Sequence, residues 1–359
     1  MQNWKRIVYT MAAIQIGTGI AIIGVIAFIP LFLTSELGVT DPGEAAFWAG
    51  LISGVTPFFV AIAAPFWSMQ ADRRGPRFAL SMILFILGVV IALMYFTRSP
   101  VELLILRMIQ GMSGGFVAVG MIADTLGYRM PFVIFCALSF FCLAAVRLMV
   151  PKQIGQEPAR ERESFVKQLS YFIKNPVVRL MVMLQFLCNC GMTGIGPILP
   201  LYIKEMMGGD AMAVATIVGI IIFIAGATSV TSSLNVSRLA RRISMPRILI
   251  FASLVTGVNF ILQYLMPEVW TLGFMRGLTG FSLGMIMPLA NTILASAVPA
   301  DKRTMVVGFS TSFALMGNVA GPMASGAIAM QWGYGMVFWS TAFCFFLAAC
   351  VIYRERKII

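Results

Sequence analysis

The chain has 359 residues, 59% of them hydrophobic and 11% charged, with a mean hydropathy of +0.91. A soluble domain cannot bury that much apolar surface, so the composition excludes a soluble enzyme and points to an all-α, multi-pass membrane protein. The net charge of +12 would suggest nucleic acid in a soluble protein. Here the basic residues sit between apolar runs, where they report topology and imply no nucleic-acid partner.

Eleven apolar helices are predicted, each near the ~20 residues that cross a bilayer core. They cover residues 7–33, 46–69, 78–96, 100–122, 130–150, 178–203, 211–235, 246–266, 269–295, 304–330 and 333–353. The first is uncharged and too long for the apolar part of a signal peptide, so it is read as a span. Three regions follow: an N-terminal helical repeat of five spans (1–150), a basic linker (151–177) and a C-terminal repeat of six spans (178–359). The linker carries Lys152, Arg160, Arg162, Lys167 and Lys174.

The halves repeat in register and then slip. Pro30-Leu31-Phe32 matches Pro200-Leu201-Tyr202, and Pro76-Arg77 matches Pro246-Arg247, both at an offset of 170. Arg107 with Gly111 and Gly115 matches Arg276 with Gly280 and Gly284 at 169. Gly127-Tyr128 and Met130 to Phe132 match Gly333-Tyr334 and Met336 to Phe338 at 206. The jump of 37 residues is one membrane helix plus a loop. The first half therefore lacks the fifth helix of a six-helix unit, and the gap falls after Ile122.

Charge gives a separate sign of the same loss. Lys5, Arg6, Arg73, Arg74 and Arg77 lie on one side of the first half, with Arg98 on the other. In the second half the linker, Arg238, Arg241, Arg242, Arg247, Lys302, Arg303, Arg354, Arg356 and Lys357 face Lys204 alone. The positive-inside rule puts the N-terminus, linker and C-terminus in the cytoplasm. Six crossings satisfy that in the second half; five cannot in the first. The expectation is an empty slot at the fifth helix, or a first-half segment, 100–122 or 130–150, that fails to cross fully.

Three motifs carry a resemblance. Ala71-Asp72-Arg73-Arg74-Gly75-Pro76-Arg77 follows the second helix and is similar to the loop motif G-x-x-x-D-R-x-G-R-R of the major facilitator superfamily, with Ser68 at its first Gly and Pro76 at an Arg. Leu106-Arg107-x-x-Gln110-Gly111-x-x-Gly114-Gly115 resembles the family's fourth-helix motif. Gly317-x-x-x-Gly321-Pro322-x-x-x-Gly326 resembles the antiporter Gly-Pro motif in its second-half copy. The chain most resembles the drug:proton antiporter branch, the bacterial multidrug efflux transporters.

That resemblance implies two parallel repeats with a site between them. It implies a monomer in the inner membrane that exchanges small amphipathic organic substrates for protons by alternating access, impaired by the missing helix. Two other readings stay open: a non-transporting deletion remnant or assembly or regulatory membrane protein, and an exporter of sugars or small metabolites. The resemblance also assigns Asp72, Arg73, Gly75 and Arg77 to a gating loop.

The residues themselves add candidates. Arg107 sits inside an apolar helix, where a charge is costly and faces a cavity or the bundle interior, or else snorkels to the interface. Arg276 is its repeat equivalent. Gln15, Gln110, Asn189, Asn291 and Asn318 are polar groups in apolar spans, suited to a proton path, a cavity or interhelical hydrogen bonds. Gly111, Gly115, Gly317 and Gly321 permit close helix approach, and Pro322 kinks its helix. No Asp or Glu lies deep in any span, and the chain has no histidine. No nucleophile, carboxylate pair or P-loop appears in the spans, so no catalytic residue, cofactor or ATP site is expected. The six cysteines lie in apolar runs as structural thiols, with no metal pattern.

Overall fold

The computed structural model describes residues 29–113, 129–149, 174–208, 214–299 and 303–356. The described residues are helical with short connections. We number the helices α1 (29–35), α2 (Pro42–Arg74), α3 (Pro76–Met94), α4 (Pro100–Met112), α5 (Met130–Met149), α6 (Pro176–Ile195), α7 (Leu199–Met206), α8 (Val214–Leu239), α9 (Met245–Leu265) and α10 (Val269–Ser296). Arg303–Glu355 runs on until Gly333 (φ 79°) divides it into α11 and α12.

Local chemistry sets the boundaries. Proline occupies the first or second position of α2, α3, α4, α6, α7 and α9, where its fixed φ suits a helix start and its missing N–H costs nothing. Asp41, Ser99 and Asn175 cap α2, α4 and α6 through their side-chain oxygens. Gly75, at φ 87°, breaks α2 from α3.

Two predicted helices differ in their bounds. The helix predicted over 100–122 ends at Met112 with a cap at Ser113; residues 114–128 lie outside the described part. The helix predicted over 178–203 is divided by a turn at Gly196-Pro197 into α6 and α7. The last two helices meet directly at Gly333. The predicted first span lies outside the described residues up to 28, and so does the linker up to 173.

The two halves repeat their contacts in the registers read from the sequence. A Cβ on Gly111 would lie 2.5 Å from Thr56 O, where α4 meets α2; one on Gly280 would strike Ala225 O, where α10 meets α8. Both members are shifted by 169. A Cβ on Gly88 would lie 3.0 Å from the Phe140 ring, and one on Gly257 2.8 Å from the Phe346 ring. Phe32 packs edge-on to Phe132 with centroids 5.3 Å apart, and Tyr202 to Phe338 at 5.0 Å. In these two pairs one member shifts by 169 or 170 and the other by 206. Helix α5 therefore occupies the place of α12, the sixth helix of its repeat.

One antiparallel pair, α2 with α11, forms the main described contact between the halves. Its seam is closed by glycine. Gly43 faces Met330 O, Gly50 faces Pro322 O, Gly54 faces Val319 O, and Gly326 faces Ala46 O. At the seam's end, Tyr334 Oη donates to Pro42 O (3.2 Å), and Lys204 Nζ donates to Thr34 Oγ1 (3.0 Å).

The pseudo-two-fold relation between the repeats turns α2–α11 into a contact between α8 and a fifth first-half helix. That helix is the one missing from the repeat, and α8 has no substantial contact with any described first-half helix. Only 22% of its apolar stretch is buried, against 44–61% for the six other membrane-length stretches. Phe223, Val230 and Leu234 stand 60–73% exposed along it. Its exposed Thr231 and Asn235 bond to their own helix, at Ala227 O (2.9 Å) and Thr231 O (2.8 Å).

The directions of helices α4 and α5 bear on the parity conflict. Trp67 Nε1, near the basic end of α2, donates to Met112 O (2.8 Å), so α4 finishes toward the end carrying Arg73 and Arg74. Arg129, before α5, pairs with Glu36 (3.1 Å) and donates to Tyr95 O (2.6 Å) at the opposite end. Arg77 then donates to Arg147 O at the finish of α5. So α5 runs toward the basic end of the bundle, finishing beside Arg77.

A Gly326→Ala exchange should destabilise the seam by about 1–3 kcal/mol through overpacking. Gly226→Ala, whose Cβ meets nothing within 4 Å in the interior of α8, should not destabilise and should gain up to about 1 kcal/mol from helix propensity. Thermal unfolding of the purified variants in detergent checks both.

Candidate functional site

A cavity of about 250 Å³ opens in the second half between α6, α7, α8 and α10. Its wall is mainly apolar, with Ile195, Leu199, Ile222 and Leu283, and its polar groups are Arg276, Thr279 and Ser229. Tight glycine packing of α10 on α8 brings Arg276 here. Gly280 and Gly284 lie against the α8 backbone, and Thr228 Oγ1 donates to Gly277 O (2.7 Å). Arg276 is 94% buried (6% exposed), its guanidinium lies 5.6 Å from the Phe260 ring centre, and its Nε has no hydrogen-bond partner.

Arg107, the repeat equivalent, is equally buried on α4. Its Nη1 donates to Gln110 Oε1 (2.8 Å), while its Nε is unpaired. The two candidates thus share burial but differ in neighbours. Gln110 reaches back one turn to its arginine. Thr279, at the matching position, is too short to do so and instead accepts from Gln263 Nε2 (2.8 Å) on α9.

The remaining candidates scatter. Asn189 Nδ2 donates to Gln185 O (2.7 Å), within its own helix. Asn291 Oδ1 accepts from Gln185 Nε2 (3.1 Å). Asn318 Oδ1 is buried without a partner. Gly317 and Gly321 bring α11 onto α6, facing Phe186 O and Cys190 O, and Pro322 turns its carbonyl toward Gly50. Asp72 belongs to the last turn of α2, followed by exposed Arg73 and Arg74, with the Arg74 guanidinium 5.1 Å from the Phe78 ring. Gln15 and Gly115 lie outside the described residues.

Sequence reasoning missed the polar bridge centred on Gln185. Ser310 Oγ donates to Gln185 Oε1 (2.6 Å) while Gln185 holds Asn291, so one buried side chain joins α6, α10 and α11. The available sign was the four-residue spacing of Gln185, Asn189 and Thr193 along one helix face. Thr256 with Ser282 (2.8 Å) and Gln263 with Thr279 similarly join α9 to α10.

Comparison with known proteins fits this architecture. The family profile described as Major Facilitator Superfamily matches residues 11–123, 115–262 and 216–357. The chain belongs to the Major Facilitator Superfamily. It is 29% identical to the Multidrug resistance protein MdtG of Escherichia fergusonii over 377 aligned positions, covering 95% of this chain and 92% of that protein. The MdtG of Erwinia billingiae is also 29% identical, with 95% and 91% covered. Since 95% of 359 residues is about 341, about 36 of the 377 aligned positions have no residue in this chain. That agrees with the 37-residue jump, and the first profile match ends at 123, beside the inferred gap.

Among solved structures, a bacterial homolog of the human lysosomal transporter Spinster superposes with a TM-score of 0.75 at 13% identity, covering 100% of this chain and 98% of that one. A D-xylose-proton symporter gives 0.71 at 13% identity, with 97% and 96% covered. The chain therefore has the transporter fold, as the motifs lead one to expect, and its family and relatives are secondary transporters.

The Gln185 bridge should be measurable as coupling. Gln185→Leu and Ser310→Ala should each destabilise the protein, with a coupling energy of about 0.5–1.5 kcal/mol in a double-mutant cycle. Unfolding of the four proteins under one detergent condition reads it out.

Proposed function

We propose that this chain is a proton-coupled exporter of small amphipathic organic compounds, working by alternating access as a monomer in the inner membrane. The observation that carries the reading is the α2–α11 seam. Two repeats that each keep their own internal contacts meet along one glycine-lined pair, a contact suited to rocking one half against the other. The apolar cavity with few polar groups and the names of the relatives support the same reading.

Roles follow within it. Arg107 and Gln110 line the proton path or cavity of the first half, with Gln15; Arg276, Asn189, Asn291 and Asn318 serve the second. Asp72, Arg73, Gly75 and Arg77 form the gating loop, whose individual exposed ion pairs are worth only ~0–1 kcal/mol and so act together. Gly111, Gly115, Gly317, Gly321 and Pro322 set helix packing. The N-terminus, linker and C-terminus face the cytoplasm.

The bare face of α8 favours a second reading, a remnant that keeps the fold without transport. Among the described residues only one of the two symmetric seams is present, and a half-to-half contact so lopsided would slow turnover. Dye export from loaded cells separates the readings. We expect slow export that a protonophore abolishes. Inserting after Ile122 the matching segment of the Erwinia billingiae relative should raise the rate at least tenfold. Export restored by the insertion but absent without it would establish the remnant reading; export absent from both would reject the efflux assignment.

Orientation has its own test. In a cysteine-free background, Ser164→Cys should be protected from an impermeant maleimide in intact cells. Labelling there would place the linker outside and overturn the charge argument.

A further inference from the structure

We infer that the second-half cavity selects amphipathic anions, with Arg276 as the group that receives the anionic head. The assignment rests on the export reading and names which compounds that site takes. Arg276 is 94% buried (6% exposed), yet among the described residues it makes no hydrogen bond or ion pair; its only neighbourly interaction of that kind is with the Phe260 ring. A buried charge left so is expensive, and such groups in membrane proteins mark ligand or ion sites. A carboxylate or sulfonate offers what is missing, two parallel charge-assisted hydrogen bonds to a planar guanidinium.

The comparison within the molecule sharpens this. The repeat places glutamine at 110 and threonine at 279. Arg107 therefore has a partner one turn away, at 2.8 Å, while Thr279 turns to Gln263 and leaves Arg276 open. Thr279 and Ser229 add hydroxyl groups beside the arginine in the cavity wall. Among the described residues no acidic group lines the cavity, and none lies deep in any span of the sequence. An organic cation entering here meets a like charge and no counter-ion. Its volume, about 250 Å³, is slightly below the ~300–1,000 Å³ of sites for drug-sized ligands, so it suits a small apolar body with one charged head.

The test uses three probes of nearly one shape: 2-naphthoate, neutral 2-naphthamide and cationic 2-naphthylmethylammonium. Binding is measured by calorimetry on the full chain in lipid nanodiscs, so no transport is needed. The expected result is at least tenfold tighter binding of naphthoate than of the amide, with the ammonium weakest. Arg276→Gln should remove the preference and leave amide affinity unchanged, whereas exposed Arg238→Gln should preserve both. Ile222→Trp, which fills the cavity, should weaken all binding and serves if Arg276→Gln does not fold. Equal affinity for naphthoate and amide, a preference that survives Arg276→Gln, or naphthoate binding that survives Ile222→Trp would overturn the proposal. Anion preference without proton-driven export would instead count against the export reading alone.

Discussion

Close backbone approach is the constraint on which this bundle depends. Apolar side chains gain nothing from leaving lipid for another apolar surface, so helix association needs tight packing instead. Glycine supplies it wherever the helices cross most closely: Gly111 on α2, Gly280 and Gly284 on α8, Gly317 and Gly321 on α6, and Gly50 with Gly326 across the halves. These contacts place carbonyl oxygens of one helix against the Cα atoms of the next. Side-chain hydrogen bonds, such as the Gln185 bridge, then fix the register that the glycines permit.

The same constraint explains how the chain accommodates the loss of a helix. Contacts inside the first half, between α2 and α4 and between α3 and α5, do not involve the fifth position. They persist in the same form as their second-half partners. The deficit falls on α8, whose symmetric partner is gone and whose surface is correspondingly bare. A defect that the sequence displays as a shift in numbering becomes, in three dimensions, an uncovered face along α8.

Much of the fold was legible in the sequence because the repeat preserves both residue type and spacing. Gly88 and Gly257, or Phe132 and Phe338, identify equivalent helices from their numbers alone. Helix ends were less legible. The break at Gly196-Pro197 interrupts an apolar run that hydropathy reads as continuous, and α4 stops at Met112 inside another. The candidate site was legible only in part. Arg107 and Arg276 stand out as charges in apolar segments, and along the chain they differ only in the glutamine or threonine three residues on, a difference whose effect shows only in three dimensions. The difference lies in what surrounds each guanidinium, and that depends on Gln263 reaching Thr279 from another helix. Gln185 escaped for a similar reason: its partners, Asn291 and Ser310, are more than a hundred residues away.

Arg129 has a wider consequence. Its guanidinium binds Glu36, Tyr95 O and Thr97 O, joining the start of α5 to the ends of α1 and α3. The repeat places Gly335 at the matching point of the second half, so this anchor belongs to the first half alone. It works as an address. The destination of α5 is written in the residues at its own head, whatever length of chain precedes it. A connection can then be shortened by a whole helix without sending the next element astray. Such local addressing gives a membrane bundle a tolerance to deletion that a fold threaded strictly from one end would lack.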